Sequence, residues 1–190
     1  MKLTLTRHGE TEENRLGIMQ GHLPGHLSEL GKLQAINLAK RLQNEKFDLI
    51  YSSDLPRAAD TAMAIKEYHP NTQLVFTEKI RERNLGEFQG KTRSQVGLDP
   101  TLPRSSYPIL DGESWNDLNL RAYRFSEFLK SEHSDQSILL VTHGGFGEAF
   151  VQNLTKNYEL PRLKNTSITE FSTKNGKLEM LTYNCIKHLP

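Results

Sequence analysis

The sequence has one cysteine, one tryptophan, short apolar runs and almost no surplus charge. Cys185 alone can form neither an internal disulfide nor a cysteine-based zinc site, so covalent staples have no part in the fold. The 24 Lys and Arg against 23 Asp and Glu leave a formal +1. That balance argues against the broad basic footprint of a nucleic-acid or anionic-membrane protein, and any basic site must be built locally. Ile138-Leu139-Leu140-Val141 spans four residues, far short of the roughly 18 of a membrane helix. The opening MKLTLTRHGETEEN turns polar too early for a secretion signal. No Gly-x-x-x-x-Gly-Lys-Ser/Thr stretch, internal repeat or low-complexity tract is present. With 36% apolar and 25% charged residues the chain is not disordered, and 190 residues fit one domain spanning 1–190. A cytoplasmic protein is expected.

Lys2–Thr6 alternates Leu3 and Leu5 with polar neighbours and predicts a strand that stops at Arg7-His8-Gly9. Residues 14–27, rich in glycine, read as a loop. Ser28 offers an N-cap for a helix to about Asn44, with Leu30, Leu33, Leu38, Ala39 and Leu42 on its inner face. A strand at Phe47–Tyr51 leads through Ser52-Ser53-Asp54 to a helix opened by Pro56 and running towards Tyr68. Leu74–Phe76 is a third strand, and a loop with short helical pieces follows to Pro108. From Ser114, residues Trp115, Leu118, Ala122, Phe125 and Leu129 step by three and four, the clearest amphipathic helix, with Trp115 in its core face. Ile138–Val141 then repeats the strand, turn and helix logic through Thr142-His143-Gly144-Gly145. Ile168–Ser172 and Leu178–Tyr183 flank Asn175-Gly176, a strong hairpin turn.

Alternating strands and helices predict an α/β fold: a three-layer α/β/α sandwich, its central sheet mainly parallel with an antiparallel edge strand. Ligands of such sheets sit beyond the carboxyl ends of the strands. Arg7-His8, Ser52–Arg57 and His143-Gly144 each lie just past a predicted strand and are expected to converge on one crevice. Two guanidiniums and two imidazoles there would suit an anion, because planar Arg forks match phosphate oxygens. Taken singly, each residue also has a plain structural reading. His22 and His26 are four apart, but Leu23-Pro24-Gly25 between them disfavours the helix that shared metal ligation would need. Ser52 and Ser53 suit either substrate contact or a turn.

Leu5-Thr6-Arg7-His8-Gly9-Glu10-Thr11 resembles the signature of the histidine phosphatase superfamily, also called phosphoglycerate-mutase-like. Ser52-Ser53-Asp54-Leu55-Pro56-Arg57-Ala58 is similar to its second arginine block, and Ile80–Gly90, containing Arg81-Glu82-Arg83, to its acid block. Gly112-Glu113-Ser114 and Thr142-His143-Gly144-Gly145 resemble the remaining two, in the family's order over nearly the whole chain. The resemblance implies that His8 attacks phosphorus and becomes a phosphohistidine, with Arg7, Arg57 and His143 holding the phosphoryl oxygens. It implies Glu82 as general acid and then base, and Asn14, Gln20, Gly21 and Gly144 as further substrate contacts. Chemistry of this kind is mostly alignment and charge stabilisation, which fixed cations supply without a metal or other cofactor. His8 is expected neutral, His143 cationic and Glu82 protonated.

Family mutases carry a long basic insertion after the acid block. Here Glu113 follows Gly90 by only 23 positions, with Lys91, Arg93 and Arg104 between but no paired arginines, so water should reach the intermediate. The resemblance therefore favours a phosphomonoesterase acting on a small phosphorylated metabolite. A cofactor-dependent phosphoglycerate mutase is the alternative, kept open by Glu82-Arg83, and a catalytically silent phosphate-ester or phosphoprotein binder is the second. Candidate substrates are fructose 2,6-bisphosphate, phosphoserine, alpha-ribazole phosphate and 3-phosphoglycerate. The Lys91–Leu110 loop, the Gly17–Leu27 loop and the Asn184–Pro190 tail are expected to set specificity, and His188-Leu189 resembles the ending of some phosphoserine-specific members. The family implies a monomer or homodimer, without nucleic-acid or membrane partners.

Overall fold

A computed structural model describes residues 1–99, 101–174 and 177–190, with the backbone alone at Arg104. The chain runs β1 (Lys2–Arg7), α1 (Glu12–Arg15), β2 (Ile18–Met19), α2 (Glu29–Leu42), β3 (Leu49–Ser53), α3 (Pro56–Lys66) and β4 (Gln73–Thr77). It continues through β5 (Lys91–Thr92), α4 (Trp115–Glu132), β6 (Ser137–Thr142), α5 (Gly144–Thr155), β7 (Ile168–Lys174) and β8 (Lys177–Cys185), with 3-10 turns at Glu78–Ile80, Gly86–Phe88 and Arg104–Ser106. The six-stranded sheet has the order β4-β3-β6-β1-β7-β8. The first four strands are mutually parallel, and β7 runs against both β1 and β8. The reversed strand thus lies one place in from the edge, because β8 turns back outside it. The Asn175-Gly176 turn itself lies outside the described residues.

Alternation along β6 explains the three layers. Ile138 and Leu140 join Leu118, Phe125, Phe146 and Phe150 under α4 and α5, while Leu139 and Val141 join Leu38, Leu42, Ala58 and Ile65 under α2 and α3. A strand apolar on both sides belongs in the middle of such a sandwich. The caps follow local chemistry. The Ser28 hydroxyl accepts from the Gly31 N–H (3.0 Å) at the start of α2, and Ser114 and Asp117 form a reciprocal capping box at the start of α4.

The inner face of α2 differs from expectation. Its buried stripe is Gly31, Ala35, Leu38, Ala39 and Leu42, while Leu30 and Leu33 are exposed. Gly31 explains the rotation: a Cβ there would lie 1.9 Å from the Glu10 carbonyl oxygen, so the helix meets the turn after β1 through its small residues, and the two leucines face out. The loop predicted over 14–27 contains β2, which pairs antiparallel with β5 beside the sheet. Trp115 is half-buried and packs against the core that holds Leu118 and Phe125. No helix among the described residues is long and apolar enough to cross a membrane.

Candidate active site

Parallel pairing of β1 with β6 sets Arg7 opposite Thr142, so the residues after both strands leave the sheet at one level. The His8 N–H donates to the Thr142 carbonyl (2.9 Å), and the His8 and His143 rings stand 5.2 Å apart. His8 is buried, and its Nδ1 lies 2.7 Å from the Gly9 carbonyl oxygen. A carbonyl only accepts, so Nδ1 carries the proton and Nε2 holds the free lone pair of the neutral ring. Burial first, then the charges of Arg57 and Arg7, hold the His8 pKa well below its ordinary 6.5.

Pro56 starts α3 and puts Arg57 in its first turn, 1% exposed. The guanidinium donates to the carbonyls of Leu23 (2.8 Å), Pro24 (3.0 Å) and Gly21 (2.8 Å). These acceptors are neutral, so its charge is held without being cancelled. Burial lowers its pKa to about 10, with Glu82 and Glu13 opposing, and it stays cationic at neutral pH. Arg7 is fixed similarly, to the Leu163 carbonyl (2.9 Å) and the Asn14 Oδ1 (3.5 Å).

His143 is completely buried and neither ring nitrogen has a hydrogen-bond partner among the described residues, an arrangement that calls for a polar ligand. Its expected cationic state is overturned for the free protein: burial, followed by Arg57, His8, Arg7 and Arg121, depresses its pKa well below 6.5. Burial is the leading cause, and the like charges around the ring act in the same direction. The paired depression of His8 and His143 has a sign. Below pH 6.5 the unfolded chain takes up protons that the folded chain refuses, so stability present above about 6.5 is lost as pH falls through the depressed folded values. Thermal denaturation at pH 7.5, 6.5 and 5.5 should show Tm falling before the carboxylates titrate; an unchanged Tm at 5.5 would contradict the assignment.

Glu82 follows the Glu78–Ile80 turn and reaches the N-terminus of α5. Its carboxylate accepts from the N–H groups of Arg83 (2.9 Å), Gly145 (3.0 Å) and Phe146 (3.1 Å). Three N–H donors thus fix the carboxyl group at the N-terminus of α5. The segment is clamped from behind. Arg121 donates to the carbonyls of Lys79 (3.0 Å), Arg81 (2.8 Å) and Glu82 (3.2 Å) and forks onto Glu113 (2.8 and 2.7 Å). Arg81 Nε in turn bonds Asp54 on the loop after β3 (2.7 Å).

These groups open onto one cavity of about 760 Å³, within the range of small-molecule sites. Arg7, His8, Arg57, Glu82, Asn14, Gln20 and Gly21 line it, as expected. His143 is not on the wall although its ring is 5.2 Å from that of His8, and of Gly144 and Gly145, both buried at the start of α5, Gly145 lines the cavity. The 17–27 and 91–110 loops supply Ile18, Met19, Thr92, Arg93 and Tyr107 to the wall, but no residue of the Asn184–Pro190 tail reaches it. Trp115 does. His22 donates to the Glu82 carbonyl (2.8 Å), while His26 faces Asp60 at 3.9 Å, so the two histidines turn to different partners. Ser52 and Ser53 are buried in turn hydrogen bonds. Sequence reasoning missed Asn165, whose amide bonds the His8 carbonyl (2.9 Å) and Asn14 (3.3 Å). It also missed Arg121, and no local pattern marks either.

The sequence profile of the histidine phosphatase superfamily, branch 1, matches residues 3–186. A glucosyl-3-phosphoglycerate phosphatase of Mycobacterium tuberculosis is 36% identical over 169 residues, covering 82% of this chain and 75% of its own. A metal-independent phosphoserine phosphatase of Arabidopsis thaliana is 28% identical, with coverage of 99% and 83%. Among solved structures, Entamoeba histolytica phosphoserine phosphatase in complex with 3-phosphoglyceric acid superposes with a TM-score of 0.87 at 28% identity, covering 100% of this chain and 99% of that one.

Proposed function

This chain belongs to the histidine phosphatase superfamily and is a phosphatase of small phosphorylated metabolites, and we propose that His8 is its nucleophile, working without a metal ion. The observation that carries the assignment is the buried, neutral His8 with Nδ1–H held by Gly9, beside two guanidiniums that are anchored by donating to carbonyl and amide oxygens. In this reading Nε2 attacks phosphorus and the P–O bond to the alcohol breaks. Arg7 and Arg57 stabilise the charge spread over the equatorial oxygens. The arriving phosphoryl dianion also favours protons on nearby groups, so His143 becomes a donor to an oxygen and Glu82 takes up the proton that it gives to the leaving alkoxide. Glu82, again a carboxylate, then draws a proton from the water that hydrolyses the phosphohistidine. Asn14, Gln20 and Gly21 shape the phosphate end, with Gly145 in the place expected for Gly144.

The test is incubation with 3-phosphoglycerate in EDTA. Release of inorganic phosphate supports the hydrolase. Conversion to 2-phosphoglycerate without release would reinstate a mutase, and loss of all turnover in EDTA would defeat the metal-free mechanism. The wall around Glu82 gives a second expectation. A Cβ on Gly145 would lie 2.4 Å from Glu82 Oε1, so Gly145→Ala must push the carboxylate out of its cradle. A displacement on the order of 1 Å costs about 100-fold, and kcat should fall by that order while circular dichroism stays native; kcat within twofold of wild type would count against Glu82.

A further inference from the structure

Asn165 lies three residues before β7 and lines the cavity. Its segment is strapped to the turn after β1. The Thr166 N–H donates to the Arg7 carbonyl (2.9 Å), and β7 pairs with β1 just beyond. Thr166 itself takes a left-handed backbone (φ 52°), a costly conformation for a β-branched residue that the surrounding contacts must hold. The Asn165 amide is thereby set against His8 and Asn14.

Only one orientation of each amide fits its neighbours. Asn165 Nδ2 lies 2.9 Å from the His8 carbonyl oxygen, and a carbonyl only accepts, so the NH₂ side of Asn165 is turned to it. The same Nδ2 donates to Asn14 Oδ1 (3.3 Å). That oxygen also accepts from the Thr11 N–H (3.4 Å), which closes the capping box of α1, and from Arg7 Nη2 (3.5 Å). A reversed Asn14 amide would set its own NH₂ against three N–H donors. Every side-chain hydrogen bond of Asn14 among the described residues runs to Oδ1, which leaves Nδ2 to donate to a ligand of the cavity that Asn14 lines.

We propose that Asn165 is a positioning residue: its amide fixes the orientation of the Asn14 amide, so that Asn14 Nδ2 meets an oxygen of the bound phosphoryl group. This rests on the phosphatase reading above. The backbone carbonyl of His8 sets Asn165, and Asn165 sets Asn14. Without the first amide the second can turn over, and an oxygen then faces the anion where a donor is needed.

The experiment is a double-mutant cycle of Asn165→Ala and Asn14→Ala in EDTA. It is read in kcat/KM for p-nitrophenyl phosphate and glycerol 3-phosphate, and in Kd for inorganic phosphate by calorimetry. Asn165→Ala should lose roughly tenfold in kcat/KM and in phosphate affinity, the scale of one hydrogen bond to a charged group. The loss should be equal on the two esters, because the phosphoryl group and not the leaving oxygen is affected. The double variant should lie within about threefold of Asn14→Ala alone, since the two residues act in series. Asn165→Leu, branched at the same carbon but without a donor, should repeat the defect and replaces Asn165→Ala if circular dichroism shows that variant to be unfolded. Losses that multiply in the double variant, Asn165 variants within twofold of wild type, or loss of the native fold in both of them overturn the proposal. Coupled losses in phosphate affinity without hydrolysis of either ester defeat only the phosphatase reading. A wild-type protein that neither hydrolyses an ester nor binds phosphate defeats both.

Discussion

His8→Ala should abolish phosphate release from p-nitrophenyl phosphate in EDTA, by roughly 10⁴-fold or more. No neighbouring group can substitute. His143 is completely buried and in this reading is engaged as a donor to a phosphoryl oxygen, and the arginines are cations at neutral pH. Wild-type enzyme quenched during turnover of a labelled substrate should carry label that survives base and is lost in acid, as a phosphoramidate does, and the variant should carry none. Because Arg7 and Arg57 are anchored to other parts of the chain, the variant should still bind inorganic phosphate, seen as a rise in Tm with added phosphate. Turnover in His8→Ala within tenfold of wild type would mean that water attacks phosphorus directly and that His8 only lines the site. The pH profile adds a check of sign. His8 is held neutral by burial and by two guanidiniums, so the acid limb of kcat/KM should lie below the ordinary imidazole range.

Glu82→Gln should separate the two halves of the reaction. An alkyl phosphate needs a proton on its leaving oxygen, and kcat on it should fall by about 10² to 10⁴. p-Nitrophenolate leaves without that proton. The variant should therefore release one equivalent of p-nitrophenolate per enzyme in a burst and then stall, because the phosphohistidine has lost the base that activates water. The amide cannot restore the carboxylate geometry. Both Glu82 oxygens accept backbone N–H groups, so either orientation of a glutamine sets its NH₂ against a donor. Glu82→Ala, free of that clash, is the companion variant and should show the same burst. Equal losses on both substrates with no burst would remove Glu82 from proton transfer.

The residues proposed to do the chemistry were legible because they lie at strand ends: Arg7 closes β1, His8 and His143 directly follow β1 and β6, and Arg57 comes four positions after β3, and parallel strands bring such positions together. Arg7, His8, Arg57 and His143 needed only the alternation of strands and helices and the rule that ligands sit at carboxyl ends. What failed needed partners far away in sequence. Leucine spacing alone points Leu30 and Leu33 inward, but the approach of the Glu10 backbone selects Gly31 and the alanines. Two-residue strands such as β2 and β5 have no period to read. The charge on His143 depends on burial and on Arg57, Arg7 and Arg121, which converge only in the folded sheet. Asn165 and Arg121 act through backbone carbonyls of distant segments, and such contacts leave no mark in composition.

The placement of β1 between β6 and β7 also bears on how the protein is made. Lys2–Arg7 joins the sheet only through Ser137–Thr142 on one side and Ile168–Lys174 on the other, while β3, β4, α2 and α3 can associate locally. During synthesis the leucines of β1 therefore wait, exposed, until most of the chain has left the ribosome. Pairing at such long sequence separation slows folding and lengthens exposure to aggregation. The same connectivity makes activity a late reporter: no fragment ending before residue 137 can set His8 beside His143. Recovery of catalysis on refolding should therefore follow the slowest structural phase and have no earlier component.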